Sequence, residues 1–274
     1  MREIRLNAFE MNCVGHQSPG LWAYPRDRSA HYTDLEYWTG LARTLERGKF
    51  DGIFLADVLG IYDVYGGSPD AALRHAVQVP VNDPVLLIPA MAQVTEHLGF
   101  GVTSTLSYEP PYPFARRMST LDHLTKGRAG WNIVTGYLNS AAAGMGLKVQ
   151  PRHEERYAIA EEYMQVVYQL WEGSWENGAV LRDRERRIFA DPRAFTASGT
   201  MGIITGSTRS ICPSRRRSGR RSCTRPAPRR ADAPLPRRMP SASLSTGRAG
   251  KSWRPRLPTS AAAPLRWAAI RPMS

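Results

Sequence analysis

Apolar residues in the first two thirds of the chain alternate between helical spacing and short continuous runs, which predicts helices alternating with buried strands. After a capping box formed by Thr33 and Glu36, apolar side chains recur at helical spacing as far as Gly48. The segment DGIFLADV (51–58) follows directly, and its continuous apolar core is typical of a strand covered on both faces. The pattern therefore predicts a helix followed by a strand of a parallel sheet.

The same unit recurs further along the chain. Asp83 and Pro84 predict the start of a helix over 84–99, which the strand FGVTSTL (100–106) follows. A third helix over 113–127 precedes the strand RAGWNIVTG, an opening strand precedes the first unit, and a last helix covers about 154–172. These elements predict an α/β fold with right-handed crossovers, either half of a closed eight-fold β/α barrel or an open doubly wound sheet. No G-x-G-x-x-G motif follows any strand, which disfavours a dinucleotide-binding fold.

Charge divides the chain near residue 195. Residues 1–195 contain 20 Lys and Arg against 23 Asp and Glu, whereas residues 196–274 contain 17 against 1. The second part is rich in Arg, Pro, Ser and Ala and has no Glu, Phe or Tyr, so a disordered tail is expected over 195–274 beside a globular domain over 1–194. Its run PSRRRSGRRSCTRPAPRR leaves a nucleic-acid-binding arm as an alternative, for which affinity would fall steeply with salt.

Several other classes of protein are disfavoured. Cys13, Cys212 and Cys223 are too few for a disulfide framework or a thiolate metal site, and HEERY is not the zinc motif H-E-x-x-H, so no metal is expected. The N-terminal segment does not have the apolar core of a signal peptide, and no apolar run is long enough for a membrane span. We therefore expect a cytoplasmic protein.

Polar residues cluster just after the predicted strands. They are Asn12 after the first strand, Asp57 after the second, Ser104 and Thr105 at the end of the third, and Asn132 in the fourth. In a β/α barrel the carboxyl ends of the strands form the face on which catalysis takes place. The sequence therefore predicts a functional site at this edge of the sheet.

Four segments, taken in order, resemble one family of enzymes. They are FDGIFLADVLGIYD, VPVNDP, ARRMSTLDHLTKGRAGWNIVTG and HEERYAIAEEYMQVVYQLWEG. The family is that of the FMN-dependent monooxygenases related to nitrilotriacetate, EDTA and dibenzothiophene-sulfone monooxygenases, in the bacterial luciferase-like superfamily. The resemblance covers about residues 3–194 and implies a TIM-type (β/α)8 barrel, of which this part of the chain forms about the first half.

The resemblance also implies a function. A separate NAD(P)H:FMN reductase would supply reduced FMN, which the protein would use with O2 to oxidise a small organic substrate containing nitrogen or sulfur. The flavin-binding residues implied by the motifs are Asp57, Ser104, Thr105, Asn132, His153 and Tyr157. Asn12 and His16 are candidate substrate contacts, and no catalytic residue is assigned. Full-length relatives imply a homo-oligomer.

Purely structural roles remain open for these residues. Asp57 and Asn132 are also suited to satisfy local backbone, His153 to lie beside a helix start, and Asn12 and His16 to pack a loop. A barrel enzyme with a sugar or phosphate substrate is a further alternative, which added FMN and reductase would not affect.

The resemblance stops abruptly near Arg193, where such proteins continue into the second half of the barrel. Read in a shifted frame, the codons from Thr196 onward permit a segment resembling the family's H-x-G-x-Y-(Y/F)-x-V pattern, and the arginine run permits its Q-A-G-(A/S)-S loop. The interpretation is a one- or two-base slip near codons 191–196. Half a barrel would expose strand edges and an apolar inner face, so poor solubility and weak FMN binding are expected.

Overall fold

The computed structural model describes residues 4–196, 198–202, 206–210 and 223–224. The strands, in chain order, are β1 (Asn7–Met11), β2 (Gly52–Ala56), β3 (Gly99–Thr105), β4 (Ala129–Val134), β5 (Val180–Asp183), β6 (Ile188–Ala190), β7 (Ser198–Gly202), β8 (Gly206–Ser210) and β9 (Cys223–Thr224). The helices are α1 (Leu35–Arg47), α2 (Asp70–His75), α3 (Ile88–Gln93), α4 (Pro111–Leu124), α5 (Asn139–Gly144) and α6 (His153–Tyr168).

The centre of the protein is a parallel sheet in the order β1-β2-β3-β4-β9. Phe9 pairs with Phe54, Phe54 with Gly101, and Thr103 with Asn132, so the first four strands lie in continuous register. The two-residue strand β9 adds to β4 at Trp131 and Asn132. Within the described residues β1 and β9 therefore form the two edges, and the sheet is not closed into a cylinder.

The two faces of the sheet differ because strand side chains alternate in direction. Ile53 and Leu55 of β2 are fully buried and pack with the helices α1, α3, α4 and α6 in one core. Phe54 lies on the opposite face, where its ring is 5.1 Å from the ring of Phe9. Phe9 remains 51% exposed, so this second face, which corresponds to the inner face of the predicted barrel, is open to solvent at β1.

The amino-terminal edge of the sheet is held by Arg128, which precedes β4. Its guanidinium donates hydrogen bonds to the carbonyl oxygens of Ala92, Thr95, Leu98 and Thr125 at 2.9–3.0 Å. One side chain thereby connects the end of α3, the start of β3 and the turn after α4.

Two carboxylates act at the same edge. Glu46, near the end of α1, accepts hydrogen bonds from the backbone N–H groups of residues 96–98. Asp51 accepts one from the N–H of Leu6 at 2.8 Å and one from the guanidinium of Arg5 at 2.7 Å. These bonds fix the chain immediately before β1 and β3.

The predicted strand and helix order is confirmed, and two details are wrong. Thr33 does not cap α1, because Asp34 is the N-cap and belongs to a turn in which its N–H donates to the carbonyl of His31. The helix predicted over 84–99 is shorter: a 3-10 turn, Pro84–Leu87, leads into α3, which ends at Gln93. Beyond that point Glu46 and Arg128 bind the backbone groups that a longer helix would use itself. Asp83 is the predicted N-cap and accepts from the N–H of Val85 at 2.8 Å.

Other elements have no counterpart in the prediction. The short helices α2 and α5 lie in the loops after β2 and β4, and β5 and β6 form an antiparallel hairpin. A second hairpin, β7–β8, and strand β9 lie where composition favours a disordered tail. Residues 196–210 contain a single charged residue, Arg209, so the composition argument is weakest there. The remainder of the predicted tail lies outside the described residues.

Candidate active site

The carboxyl ends of β2 and β3 open into a cavity of about 370 Å³, within the range typical of small-molecule sites. Asp57, Ser104 and Thr105, three of the predicted flavin contacts, line it together. Asp57 directly follows β2, and the two hydroxyl residues end β3, so the parallel register of the two strands brings them to the same edge.

Asp57 has an unusual electrostatic environment. Partial burial, followed by the negative charge of Asp83, raises the pKa of its carboxyl to about 6, and a hydrogen bond from the N–H of Val58 opposes this shift. Asp83 lines the same cavity from the loop before α3. The two carboxylates thus act on each other across a site partly withdrawn from water.

Asn132 lies on β4 beside the cavity rather than in its lining. Its amide Nδ2 donates a hydrogen bond to the Oγ1 of Thr103 at 3.0 Å, and Thr103 does line the cavity. The two residues are register partners on β3 and β4. Asn132 is therefore one residue removed from the site and orients the hydroxyl of Thr103.

His153 and Tyr157 lie in the first turns of α6, outside the cavity lining. Their rings are 4.7 Å apart, and Tyr157 is 51% exposed. Between them Arg156 donates a hydrogen bond to the carbonyl of Gly136, just beyond β4. The start of α6 is thereby attached to the carboxyl edge of the sheet, although these two predicted residues do not meet the other flavin candidates there.

Asn12 and His16 lie in the loop after β1, which pairs with residues 77–81 through the bridges Cys13–Val81 and Gly15–Val77. Asn12 is 3% exposed, and its Nδ2 donates to the carbonyl of Asp83 at 3.2 Å. Among the described residues its buried Oδ1 has no hydrogen-bond partner. Asn12 therefore contacts a cavity-lining residue without lining the cavity itself.

The ring of His16 packs edge-on against Phe9 on the inner face, at 4.4 Å between ring centres. Burial lowers the pKa of His16, which favours its neutral form. The neighbouring Cys13 is buried, and burial together with the charge of Glu10 raises the pKa of its thiol to about 12. Cys13 therefore remains a protonated thiol at neutral pH and is not suited to nucleophilic chemistry.

Tyr108, Glu109 and Arg117 are among the cavity residues that were not singled out from the sequence as site residues. Tyr108 and Glu109 follow β3, and Arg117 on α4 forms an ion pair with Glu109. Tyr108 donates a hydrogen bond to the Oε1 of Gln150 at 2.5 Å. The predicted site includes polar residues that follow this strand only as far as Thr105. Extending the same criterion by a few residues would have included Tyr108 and Glu109.

The loops after β2 and β4 are joined next to the cavity. The hydroxyls of Tyr62 and Tyr137 are hydrogen-bonded at 2.5 Å, and the Oγ of Ser140 donates to the carbonyl of Ile61 at 2.8 Å. The loop that begins at Asp57 is therefore supported by α5.

Two negative findings apply to the described part of the chain. It contains no group of three or more His, Cys, Asp or Glu side chains arranged to hold a metal ion. None of its helices is both long enough and apolar enough to cross a membrane.

Comparison with known proteins identifies the family. The profile of the luciferase-like monooxygenases matches residues 9–201. The chain belongs to this family. The fold is accordingly of the luciferase-like TIM-barrel type, as the motifs predicted, and β1–β4 of the open sheet correspond to the first part of such a barrel. The match gives no support to the nucleic-acid-binding alternative.

Several luciferase-like relatives are themselves monooxygenases. The long-chain alkane monooxygenase of Geobacillus thermodenitrificans is 61% identical over 70% of this chain and 43% of its own length. The dimethyl-sulfide monooxygenase of Hyphomicrobium sulfonivorans is 60% identical over 69% and 40%. Nitrilotriacetate monooxygenase component A of Aminobacter aminovorans is 42% identical over 60% and 37%. The chain thus spans about two fifths of the length of these curated relatives.

Solved structures agree with this assignment. The crystal structure of a long-chain alkane monooxygenase superposes with a TM-score of 0.79 at 52% identity, covering 82% of this chain and 52% of that one. A riboflavin lyase structure containing modified FMN and the substrate riboflavin superposes with a TM-score of 0.73 at 33% identity, over 78% of this chain and 47% of that one. This luciferase-like chain is therefore similar to about half of each of these larger enzymes.

Proposed function

We propose that the protein is a flavin-dependent monooxygenase that uses reduced FMN and O2 to oxidise a small organic substrate, with the reduced flavin supplied by a separate NAD(P)H-dependent reductase. The observation that carries the proposal is the cavity at the carboxyl edge of β2 and β3, in a chain whose relatives are monooxygenases. The name of one relative, component A, supports a two-component system.

The cavity suits the ring system of FMN better than its phosphate. The hydroxyls of Ser104 and Thr105 donate and accept hydrogen bonds, as ring carbonyl and nitrogen atoms require, and Leu59 and Val85 supply apolar surface. Asp57 and Asp83 would repel a phosphate group. We therefore assign the ring to this cavity and the phosphate to a different part of the protein.

Each predicted residue has a defined task in this proposal. Asp57, Ser104 and Thr105 hold the ring, and Asn132 keeps the Thr103 hydroxyl oriented toward it. His153 and Tyr157 bind the flavin from the start of α6. Asn12 and His16 contact the substrate from the loop after β1.

Reduced FMN, when bound, supplies the electrons that activate O2, and the protein positions the reactants and excludes water. The apolar residues of the cavity wall carry out the second task. Leu59, Val85, Pro110 and Met145 form a surface that water wets poorly. Asn12 is buried, and its side chain donates a hydrogen bond to the carbonyl of Asp83. This bond holds the loop after β1 against the loop before α3.

The proposal is tested by adding an FMN reductase and NADH to the purified chain, and by following O2 consumption and oxidised product with dimethyl sulfide and with a long-chain alkane. Flavin fluorescence gives the affinity for FMN in parallel. Because the chain forms only about half a barrel, we expect a low rate of substrate-dependent product formation, and FMN binding that is measurable only at high flavin concentration. An absence of both flavin binding and product would contradict the proposal.

A matched pair of variants refines the test. Thr105→Val removes a cavity hydroxyl, and we expect it to weaken FMN binding about tenfold, the effect of one lost hydrogen bond. Thr120→Val makes the same change on the exposed side of α4 and should leave the affinity unchanged. Equal affinities for the two variants would remove Thr105 from the flavin site.

The remaining parts of the proposal concern the whole protein. We propose a cytoplasmic homo-oligomer whose residues 1–194 form the first half of the barrel, and a reading-frame slip near codons 191–196 that accounts for the arginine-rich sequence beyond them. Sequencing the DNA over these codons tests the slip. An intact frame with no family-like alternative reading downstream would refute it.

A further inference from the structure

The wall of the cavity carries more negative than positive charge. Asp57, Asp83 and Glu109 contribute carboxylates, and Arg117 is the one cation among the lining residues. Arg117 is already ion-paired with Glu109. Two carboxylates, those of Asp57 and Asp83, therefore face the cavity without a lining cation to balance them.

These two carboxylates are held in place by the fold. Asp83 is the N-cap of the turn before α3, where its Oδ1 accepts from the N–H of Val85 at 2.8 Å. The chain around it is fixed by Asn12, whose carbonyl accepts from the N–H of Asn82 at 2.8 Å. Asp57 is half-buried directly after strand β2, and Asp83, although exposed, has its carboxylate fixed at the cavity by the N-cap bond.

The rest of the lining is neutral. Leu59, Val81, Val85, Pro110 and Met145 present apolar side chains, and Asn82, Thr103, Ser104, Thr105 and Tyr108 present uncharged polar ones. Apolar surface favours burial of hydrocarbon, whereas a ligand anion about 5 Å from one fixed carboxylate is disfavoured roughly a hundredfold at an effective dielectric constant of about 20.

We propose that this cavity selects uncharged, mainly apolar small molecules and rejects carboxylates, and that Asp83 together with Asp57 determines this specificity. The inference rests on the proposed function, in which the flavin ring lies in this cavity and the substrate has to reach the ring past the same two carboxylates. Aminopolycarboxylates are thereby excluded as substrates, and hydrocarbons, thioethers and similar neutral compounds remain.

Octanol and octanoate are suitable probes, because they have the same chain length and differ in charge. Their dissociation constants are measured by titration calorimetry with the full chain, without flavin, at about pH 7.5, where the Asp57 carboxyl is mainly ionised. We expect octanol to bind at least tenfold more tightly than octanoate. Equal binding of the two probes, preference for octanoate, or binding of neither would overturn the inference.

Asp83→Asn removes one charge and keeps a good N-cap side chain, so the fold is preserved. We expect this variant to bind octanoate about tenfold more tightly and octanol as before. Asp63→Asn, at an exposed carboxylate outside the cavity, is the matched control and should change neither affinity. An unchanged octanoate affinity in Asp83→Asn would contradict the role of this residue.

A second variant acts in the same direction by a different route. Glu109→Gln removes the partner of Arg117 and leaves a cation in the wall, so octanoate should again bind more tightly. Because the probe measurements need no flavin, they are independent of the oxidation assay. If octanol binds more tightly than octanoate but no flavin-dependent oxidation is found, only the proposed function is contradicted. If oxidation is found but the two probes bind equally, only this inference is contradicted.

Discussion

Asp57 illustrates how a single residue at the cavity ties stability to pH. Its carboxyl has a pKa of about 6 in the folded protein, raised mainly by burial and then by Asp83. An aspartate in the unfolded chain titrates near 4, so the folded chain binds more protons between these two values. The contribution of Asp57 to the free energy of unfolding therefore decreases as the pH rises from about 4 to 6, and stays low above that range.

We expect Asp57→Asn to raise the free energy of unfolding by about 1–2 kcal/mol at about pH 7.5 and to change it little at about pH 4.5, since the asparagine has no charge to desolvate. Denaturant unfolding at the two pH values measures both differences. Asp63→Asn is the control, because Asp63 is exposed. A stabilisation of the same size at both pH values would show that the charge of Asp57 is not the cause.

At the residue scale, the sequence predicted the cavity side chains that directly follow strands. It did not predict those that line the cavity because distant loops pair with each other. Asp57, Ser104 and Thr105 meet in the cavity because strand register brings the ends of β2 and β3 together. Asp83 was recognised only as an N-cap. Its place in the cavity depends on the loop before α3 bridging to the loop after β1, at Cys13 and Val81, which local pattern does not encode.

At the scale of elements, helix ends are set by distant side chains as much as by local sequence. The apolar pattern of 84–99 favours a helix as far as Leu98, yet α3 ends at Gln93. Arg128 binds the carbonyls of Ala92, Thr95 and Leu98, and Glu46 binds the N–H groups that follow. Neither partner is near this segment in sequence, so propensity alone extends the helix too far.

Arg128→Lys tests this account. An ammonium group cannot bond the several carbonyls that the planar guanidinium reaches at once, so buried acceptors would lose their donors. We expect a loss of about 2–4 kcal/mol in the free energy of unfolding, measured by chemical denaturation. Arg43→Lys, at an exposed position of α1, should cost less than about 0.5 kcal/mol. Similar losses for both would mean that the contacts of Arg128 do not support the fold.

At the scale of the whole molecule, motif order predicted the barrel family, and the succession of helices and strands predicted a parallel sheet. The open inner face follows from the sheet order among the described residues, in which β1 pairs on one side only. Phe9 lies on this face beside Phe54 and is half exposed. Composition did not predict the β7–β8 hairpin. The charge count of residues 196–274 is dominated by the Arg-rich sequence after the hairpin, and the uncharged Gly and Thr residues of the hairpin do not contribute to that count.

An aromatic pair with one exposed ring, that of Phe9, should bind apolar dyes. We expect the chain to enhance the fluorescence of anilinonaphthalene sulfonate, and Phe9→Ser to reduce that enhancement, because one ring of the contacting pair is removed. Leu35→Ser is the control, since Leu35 has similar exposure, 54%, on the helical side. A dye signal that responds equally to both changes would argue against an accessible inner face.

The hydrogen bonds of Arg128, Glu46 and Asp51 all lie at the strand starts, on the edge opposite the cavity. Exchanging residues in the loops that shape the pocket leaves these bonds untouched. Substrate specificity can therefore change at the carboxyl ends of the strands while the hydrogen bonds at their amino ends stay the same. This is compatible with a family whose members are named as alkane, dimethyl-sulfide and nitrilotriacetate monooxygenases.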